Sequence, residues 1–170
     1  HVDICEYNPT ETIATNILGT KNIVKASLKN KVSKFIFVST DKAVNPSTLM
    51  GKSKLNAENI VNKANNKTIR KNKNSFSVIR FGNVIGSRGS VLEVFTKQLD
   101  ANLDLTITHK EMTRFFMNLD DAAKKILKSI EISRGGEIFA IQSMKSFKVI
   151  DLAKALIKHH KKRKKNRSKI

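Results

Sequence analysis

The 170-residue sequence has one cysteine, one tyrosine, two prolines and no tryptophan. With Cys5 as the single cysteine, an internal disulfide framework is excluded, which fits a reducing compartment. No apolar run approaches the roughly 20 residues that a membrane-spanning helix needs, and no signal peptide opens the chain. Because the first residue is His1 and not Met, we expect an upstream segment. A cytoplasmic protein is therefore predicted, with membrane association only through that upstream segment.

Acidic residues are also scarce: 14 aspartates and glutamates face 33 lysines and arginines, for a net charge of +19. Such a charge suits a nucleic acid or an anionic membrane surface, because clustered cations attract phosphate. The lysines are spread along every predicted helix, however, and no aromatic stacking motif accompanies them. We therefore interpret most of the charge as solvated surface and expect no nucleic acid partner. The basic block at residues 159–170 is interpreted as a disordered tail.

Short apolar runs of strand type alternate with segments of helical periodicity along the chain. The run at Lys34–Thr40 has no polar alternation, which is typical of a parallel strand covered on both faces. Asn8 is the predicted cap of the first helix, and residues 65–74 are predicted to form a loop. This alternation predicts an α/β fold with a parallel sheet. The predicted strands are 34–40, 76–81, 104–108 and 137–141, and the predicted helices are 9–30, 47–64, 91–99, 119–132 and 150–157.

The most informative stretch is residues 35–54, FIFVSTDKAVNPSTLMGKSK. Its apolar strand ends in the polar residues 39–42 (STDK), and open α/β sheets hold their ligands at the carboxyl ends of the strands. In the helix that follows, Met50 and Lys54 lie four residues apart and so share one face. Because adjacent residues of an extended strand point to opposite faces, a bend after Thr40 is needed to aim the acid and the amine at one ligand.

Three separated motifs carry a family resemblance over nearly the whole chain. The serine, position 50 and the lysine of STDKAVNPSTLMGKSK resemble the Ser–Tyr–Lys active site of the extended short-chain dehydrogenase/reductases. With RFGNVIGSRGSV (80–91) and MTRFFM (112–117), this run is similar to the nucleotide-sugar 4,6-dehydratases of capsule and polysaccharide biosynthesis, which act on UDP-N-acetylglucosamine. The family's catalytic Tyr falls at Met50, and one branch of these dehydratases resembles this chain in having Met there. The resemblance implies a Rossmann-like sheet, bound NAD or NADP, and a UDP-sugar substrate.

The reaction that the resemblance implies is redox-neutral. A hydride leaves sugar C4 for NAD(P), water is lost across C5–C6, and the hydride returns at C6. Asp41 matches the acid for the departing C6 hydroxyl and Lys42 the C5 base, and each role needs a shifted pKa. Ser39 or Thr40 would hydrogen-bond the C4 oxygen, and Lys54 would hold the nicotinamide ribose. Since a thioether is only a weak acceptor, Asp41, Lys42 or a water relay is expected to take the C4 hydroxyl proton.

Further site residues follow from the same resemblance. Asn16 matches a polar position ahead of the catalytic strand, where it would anchor the active-site backbone. An Arg offers a planar donor fork suited to diphosphate. His109 has no other His near it in sequence and is interpreted as a loop residue, so no metal site is predicted. The implied set is Asn16, Ser39, Lys54, Phe81 and Gly82 for the cofactor, and Asn83, Arg88, Thr113 and Arg114 for the substrate.

The phosphate-binding turn of dinucleotide-binding proteins is missing from the sequence. The glycines at 82, 86 and 89 are spaced GxxxGxxG and not GxGxxG, and they follow the wrong strand for that fingerprint. We therefore expect the second half of an enzyme, inactive alone. The full-length form is expected to be a homo-oligomer. Residues 1–86 would complete the Rossmann domain, and residues 87–158 would form a smaller substrate-binding portion.

Three alternatives stay open at this point. They are an epimerase of the same superfamily, a basic fragment that binds nucleic acid or anionic surfaces, and a non-catalytic remnant. The pair Asp41 and Lys42 favours the dehydratase over the epimerase, because a simple epimerase needs no C5 base.

Overall fold

A computed structural model describes residues 2–69, 74–86, 90–141 and 145–167. The helices are α1 (Val2–Tyr7), α2 (Pro9–Ile13), α3 (Thr20–Lys29), α4 (Leu49–Ile69), α5 (Val91–Asp100), α6 (Leu119–Ile132) and α7 (Val149–Arg167). The strands are β1 (Lys34–Thr40), β2 (Ser75–Phe81), β3 (Asn83–Val84), β4 (Thr113–Met117), β5 (Ile138–Ala140) and β6 (Lys145–Lys148). A π-helical turn spans Ala14–Gly19, and a 3-10 turn spans Asp41–Ala43.

The chain forms two compact units, and the pairing of β5 explains which residues belong to each unit. The first unit is His1–Gly82 with Asp120–Gln142, and the second is Asn83–Leu119 with Ser143–Ile170. Residues 120–142 therefore lie with the first unit, because β5 pairs with β2. The predicted functional division at residue 86 stays a prediction. None of the helices that the structure describes has the length and apolar composition to cross a bilayer.

The first unit is built on a parallel sheet with strand order β1-β2-β5. Phe35 of β1 and Phe76 and Val78 of β2 alternate onto one face, where they pack with Val24 of α3 and Val61 of α4. Phe76 is fully buried, and its ring stacks on Phe35 with 5.1 Å between the centroids. The parallel sheet with its covering helices confirms the α/β fold class that the sequence predicted.

The second unit has a small mixed sheet. Strand β3 runs parallel to β4, and β6 runs antiparallel to β4 on its other side. Phe95 of α5 and Val149 and Ala153 of α7 form its buried core. The sequence pattern predicted none of the three strands of this sheet.

The strand predicted at residues 104–108 is wrong, because this segment packs on α5 and pairs with no strand. The Gln98 side chain donates to Thr106 Oγ1 at 2.9 Å and accepts the Thr106 N–H at 3.4 Å. The alternating leucine and isoleucine of the segment pack against the core around Phe95. Its period of two thus reflects burial against a helix.

Two helices extend past their predicted ends. Helix α4 continues to Ile69, into the predicted loop, because Asn65 is fully buried and its amide oxygen accepts the Phe76 N–H at 3.2 Å. Residues 70–73 of that loop lie outside the described residues. Helix α7 continues to Arg167, into the predicted disordered tail. Lysine and arginine are good helix formers, so they extend a helix that the apolar residues of α7 anchor.

The predicted cap at Asn8 is also wrong. Its side chain makes no capping bond to α2 and donates back to the Ile4 carbonyl at 2.9 Å. Helix α1 ends directly before Asn8, so the amide satisfies the last turn of α1 and not the first turn of α2.

Candidate active site

Strand β1 ends at Thr40, and the chain then bends into the 3-10 turn. The Thr40 hydroxyl accepts the Lys42 N–H at 3.3 Å and donates to Asp41 Oδ1 at 3.0 Å. The Lys42 ammonium lies 3.0 Å from the same carboxylate oxygen, and the Lys42 and Asp41 side chains are 34% and 43% exposed. The bend that the sequence requires is thus present, and it brings an acid and an amine together within reach of solvent.

Helix α4 begins directly against this turn because Gly51 has no side chain. A Cβ at Gly51 would lie 2.3 Å from the carbonyl oxygen of Lys42 and 3.0 Å from Pro46 Cβ. Real Cβ atoms essentially never approach an oxygen as closely as 2.3 Å, so any larger residue would push the helix and the turn apart. The first turn of α4, which carries Met50, is therefore in close contact with the backbone of Lys42.

Two side chains fix the beginning of α4. The Thr48 hydroxyl accepts the Gly51 N–H at 3.2 Å, as a helix cap does. The Glu6 carboxylate of α1 accepts the Leu49 N–H at 2.6 Å. An anion at this end is favoured by the helix dipole, so α1 helps to set the position of α4.

Lys54 is a partly buried cation against β1. Its Nζ donates to the Val38 carbonyl at 3.2 Å and lies over the Phe37 ring, 4.7 Å from the centroid. Burial lowers the pKa of Lys54, and the negative charge of Glu58 opposes that shift. The amine therefore adds positive potential beside the strand that leads to Asp41 and Lys42.

Asn16 reaches α4 from the π-helical turn. Its Nδ2 donates to Ser53 Oγ at 2.9 Å, and the Ser53 hydroxyl donates to the Met50 carbonyl at 2.9 Å. Asn16 is thereby linked to the backbone of α4 at Met50. Turns of this kind are frequent at functional sites, while its predicted contact with the cofactor stays a prediction.

A buried ion pair lies behind the strand end, and the sequence motifs did not indicate it. Glu58 is 1% exposed, and it accepts from Arg80 Nε at 2.9 Å and from Arg80 Nη2 at 2.5 Å. Ser39 donates to the same carboxylate at 2.5 Å. The hydrogen bond to Glu58 raises the pKa of Arg80. One signal was available: an arginine inside an otherwise apolar strand is rarely buried without a partner.

These contacts change how two predicted residues can act. Ser39 is 5% exposed with its hydroxyl bonded to Glu58, so Thr40 is the strand-end hydroxyl that lies beside Asp41. Phe81 ends β2 opposite Thr40 and is 5% exposed. A cofactor contact at Phe81 would therefore come from its backbone, continued by Gly82.

The second unit carries the predicted substrate residues, of which Arg88 lies outside the described residues. Asn83 Nδ2 donates to the Phe115 carbonyl at 3.2 Å, which links β3 to β4. Thr113 and Arg114 are exposed on β4, and the Arg114 guanidinium donates to the Thr113 carbonyl at 3.1 Å. Asn83 therefore lies on the strand next to the one that carries Thr113 and Arg114.

The second unit also has an apolar cavity of about 250 Å³. Of the predicted substrate residues, Asn83, Thr113 and Arg114 lie in the described part of the chain, and none of these three lines it. The lining residues are Ile85, Ser90, Leu92, Phe116, Phe147, Asp151, Leu152 and Ala155.

Comparison with known proteins identifies relatives along the whole chain. A family described as polysaccharide biosynthesis protein matches residues 1–170. The UDP-N-acetylglucosamine 4,6-dehydratase (inverting) of Campylobacter jejuni is 48% identical over 158 residues, 92% of this chain and 46% of the relative. The capsular polysaccharide biosynthesis protein CapD of Staphylococcus aureus is 46% identical over 158 residues, 93% of this chain and 26% of CapD. A UDP-glucose 4-epimerase of Rickettsia bellii is 44% identical over 155 residues, 91% of this chain and 45% of the relative.

A solved structure agrees with the fold. Pen from Bacillus thuringiensis matches with a TM-score of 0.87 and 38% sequence identity, over 95% of this chain and 51% of that chain. The chain thus spans about half the length, or less, of the relatives that it matches.

Proposed function

Because the chain belongs to the family of polysaccharide biosynthesis proteins that matches residues 1–170, we propose that it carries the catalytic part of a nucleotide-sugar 4,6-dehydratase. It is a member of the superfamily of nucleotide-sugar dehydratases and epimerases. The proposed substrate is UDP-N-acetylglucosamine, and the proposed product is a 4-keto-6-deoxy sugar. The observation that carries the proposal is the contact between Asp41 and Lys42 at the carboxyl end of β1, where α/β sheets hold ligands.

The residues present fit NAD or NADP as the cofactor. When bound, it would take up a hydride from sugar C4 and give it back at C6. Lys54 is a partly buried cation on the helix packed against β1, which suits a contact with the nicotinamide ribose. The backbone of Phe81 and Gly82 is assigned to the nicotinamide, and Thr113 and Arg114 are assigned to the diphosphate of the substrate.

Asp41 handles the oxygen protons in this proposal. The C4 hydroxyl gives its proton to Asp41 through Thr40, whose hydroxyl already donates to the carboxylate at 3.0 Å. Loss of the C4 hydride leaves a ketone, which makes the C5 proton acidic. Asp41 then returns its proton to the C6 hydroxyl, which departs as water. The Met50 thioether has no part in these transfers.

In this proposal, Lys42 is the base that removes the proton from C5. It takes the proton from C5 as water leaves, its ammonium protons exchange with solvent, and it gives a proton to C5 as the hydride returns to C6. In water, moving a proton from a lysine to an aspartate spans about 6.5 pKa units and costs roughly 9 kcal/mol. Once Asp41 has taken the sugar proton, Lys42 loses the opposite charge 3.0 Å away, and it releases its own proton to solvent more easily. Oxidation at C4 therefore prepares the base for C5.

The test is the formation of 4-keto sugar by the complete gene product with UDP-N-acetylglucosamine. Asp41→Asn and Lys42→Ala should each lower turnover by at least about 100-fold, as loss of a general acid or base does. Binding of the UDP-sugar, measured by calorimetry, should persist. Lys52→Ala, which removes an exposed lysine of α4, is the matched control and should keep full turnover. Full turnover in either catalytic variant would remove the assignment.

An epimerase is the second candidate, favoured by the relative from Rickettsia bellii that carries that name. The two reactions give different products. A dehydratase product is lighter by one water and, formed in D₂O, carries deuterium at C5. An epimerase product keeps the substrate mass and gains no deuterium at C5, so mass spectrometry separates the two.

A further inference from the structure

We propose that Glu58 is a positioning residue that holds the strand end carrying Asp41 and Lys42 in a fixed relation to the helix carrying Lys54. The inference rests on the dehydratase function proposed above and adds a residue to which that mechanism gives no role. Glu58 touches no reacting atom and acts through its hydrogen-bond partners.

The Glu58 carboxylate accepts three hydrogen bonds from donors on two strands. Ser39 of β1 donates to Oε1 at 2.5 Å, and Arg80 of β2 donates from Nε to Oε1 at 2.9 Å and from Nη2 to Oε2 at 2.5 Å. Ser39 and Arg80 are register partners in the parallel pair. A planar two-pronged contact of this kind fixes orientation as well as distance.

The location of this contact links the elements of the site. Ser39 immediately precedes Thr40 and the catalytic turn, and Glu58 lies four residues, or about one helical turn, after Lys54. One carboxylate therefore joins the ends of β1 and β2 to the helix that carries the predicted ribose-binding lysine. A slip of α4 along the sheet would break all three bonds at once.

Stability gives little reason to bury these charges. A buried ion pair can often be replaced by apolar residues of similar volume without loss of stability, and its best attested role is to fix one arrangement of elements. The covered face of the sheet becomes polar only at the last position before the site. The positions before it on that face are Phe35 and Phe37 on β1, and Phe76 and Val78 on β2.

The charge of Glu58 also acts on Lys54. In the described part of the chain, the groups whose electrostatics raise the pKa of Lys54 are Glu58 on the same helix and Cys5 on α1. Strand β1 presents the Val38 carbonyl and the Phe37 ring to the Lys54 amine. Burial lowers the pKa of Lys54, and Glu58 raises it. Glu58 thereby helps to keep the amine protonated.

The test uses Glu58→Gln in the complete gene product. Misplacement of the site should lower kcat by roughly 10- to 100-fold, while KM for the UDP-sugar stays within about 3-fold. The Lys54 amine, followed by NMR of labelled lysine and assigned with Lys54→Arg, should titrate at lower pH. A merely structural role predicts no such shift in a folded variant.

A double variant covers the case in which Glu58→Gln leaves Arg80 unpaired and the protein does not fold. Glu58→Gln with Arg80→Gln removes both charges and keeps two amides that can bond each other. We expect this folded variant to keep the low kcat and the lowered Lys54 titration. The matched control is Glu131→Gln, an exposed carboxylate paired with Lys128 at 2.8 Å, which should leave both measurements unchanged.

Wild-type kcat and an unshifted Lys54 titration in the folded double variant would overturn the proposal. The two readouts also separate this proposal from the dehydratase function. If Asp41→Asn kept full turnover, the dehydratase assignment would fail, and the Lys54 titration would still decide whether Glu58 controls that amine.

Discussion

At the scale of single residues, hydrogen bonds together affect the pKa of Glu137 more strongly than burial does. Ser77 Oγ donates to the Glu137 carboxylate at 2.7 Å, and the N–H groups of Arg134 and Gly135 each donate at 2.8 Å. Burial raises the pKa of Glu137, but these donors together lower it below its ordinary value. The carboxylate closes the turn that leads into β5, so its charge contributes to folding.

This carboxylate predicts a loss of stability in acid. Because the folded pKa lies below the unfolded one, the contribution is complete above the ordinary Glu value of about 4.5 and is lost as pH falls through the folded pKa. Glu137→Gln should lower the free energy of unfolding at pH 7 and flatten its decline below pH ~4.5. Urea unfolding at a series of pH values measures both effects. Glu11→Gln, which removes an exposed carboxylate, should leave the decline in place, and an equal decline in the Glu137 variant would contradict the prediction.

Single residues also mark where prediction from the sequence stops. Asp41, Lys42 and Lys54 could be proposed from the sequence because they lie in one short stretch with a fixed order, and their roles stay predictions. The contact between Glu58 and Arg80 spans 22 residues of sequence, and it exists only because α4 packs on β2. No local spacing encodes such a pair.

At the scale of elements, the contact between α4 and the 3-10 turn is sensitive to mutation at Gly51. Gly51→Ala would place a methyl group 2.3 Å from the Lys42 carbonyl oxygen, so the backbone must shift. We expect a loss of about 1–3 kcal/mol in unfolding free energy. Product formation should fall at least about 10-fold, because the acid and the base move with the turn.

Gly19→Ala is the matched control for this prediction. Its methyl group would lie 3.6 Å from the Ala14 carbonyl oxygen, an ordinary contact, and the backbone at Gly19 is helical. Alanine should therefore be neutral or stabilise the protein by up to about 1 kcal/mol. Equal effects of the two substitutions on unfolding and on product formation would contradict the close-contact argument.

The elements themselves were predictable where one period dominated. The apolar run of β1 and the helical repeat of α6 gave the right element, although the repeat of α6 does not mark a buried face, since Leu119 and Leu127 are 69% and 66% exposed. The antiparallel β6 escaped prediction, since pairing with β4 depends on a distant partner. The strand predicted at residues 104–108 failed for a similar reason, because the alternating apolar residues of this segment pack on α5.

At the scale of the whole molecule, the sequence has the proposed catalytic residues but no GxGxxG turn for a pyrophosphate. Residues 1–170 alone should therefore bind NAD with a Kd no tighter than about 100 µM. Isothermal titration calorimetry with NAD and with NADP measures this. The dehydratase of Campylobacter jejuni, produced at full length, serves as the control. A micromolar complex with the 170-residue chain would show that the dinucleotide contacts lie within these residues.

Strand β1 has a consequence for handling the protein. It is an outer strand of its sheet within the described residues, seven residues long, and Val38 on it is 43% exposed. Outer strands of this kind are templates on which a foreign strand can anneal. The large positive charge keeps molecules apart in dilute buffer, but salt screens it within about 10 Å at 0.1 M. At high protein concentration and high salt, we therefore expect fibrous self-association to begin along β1.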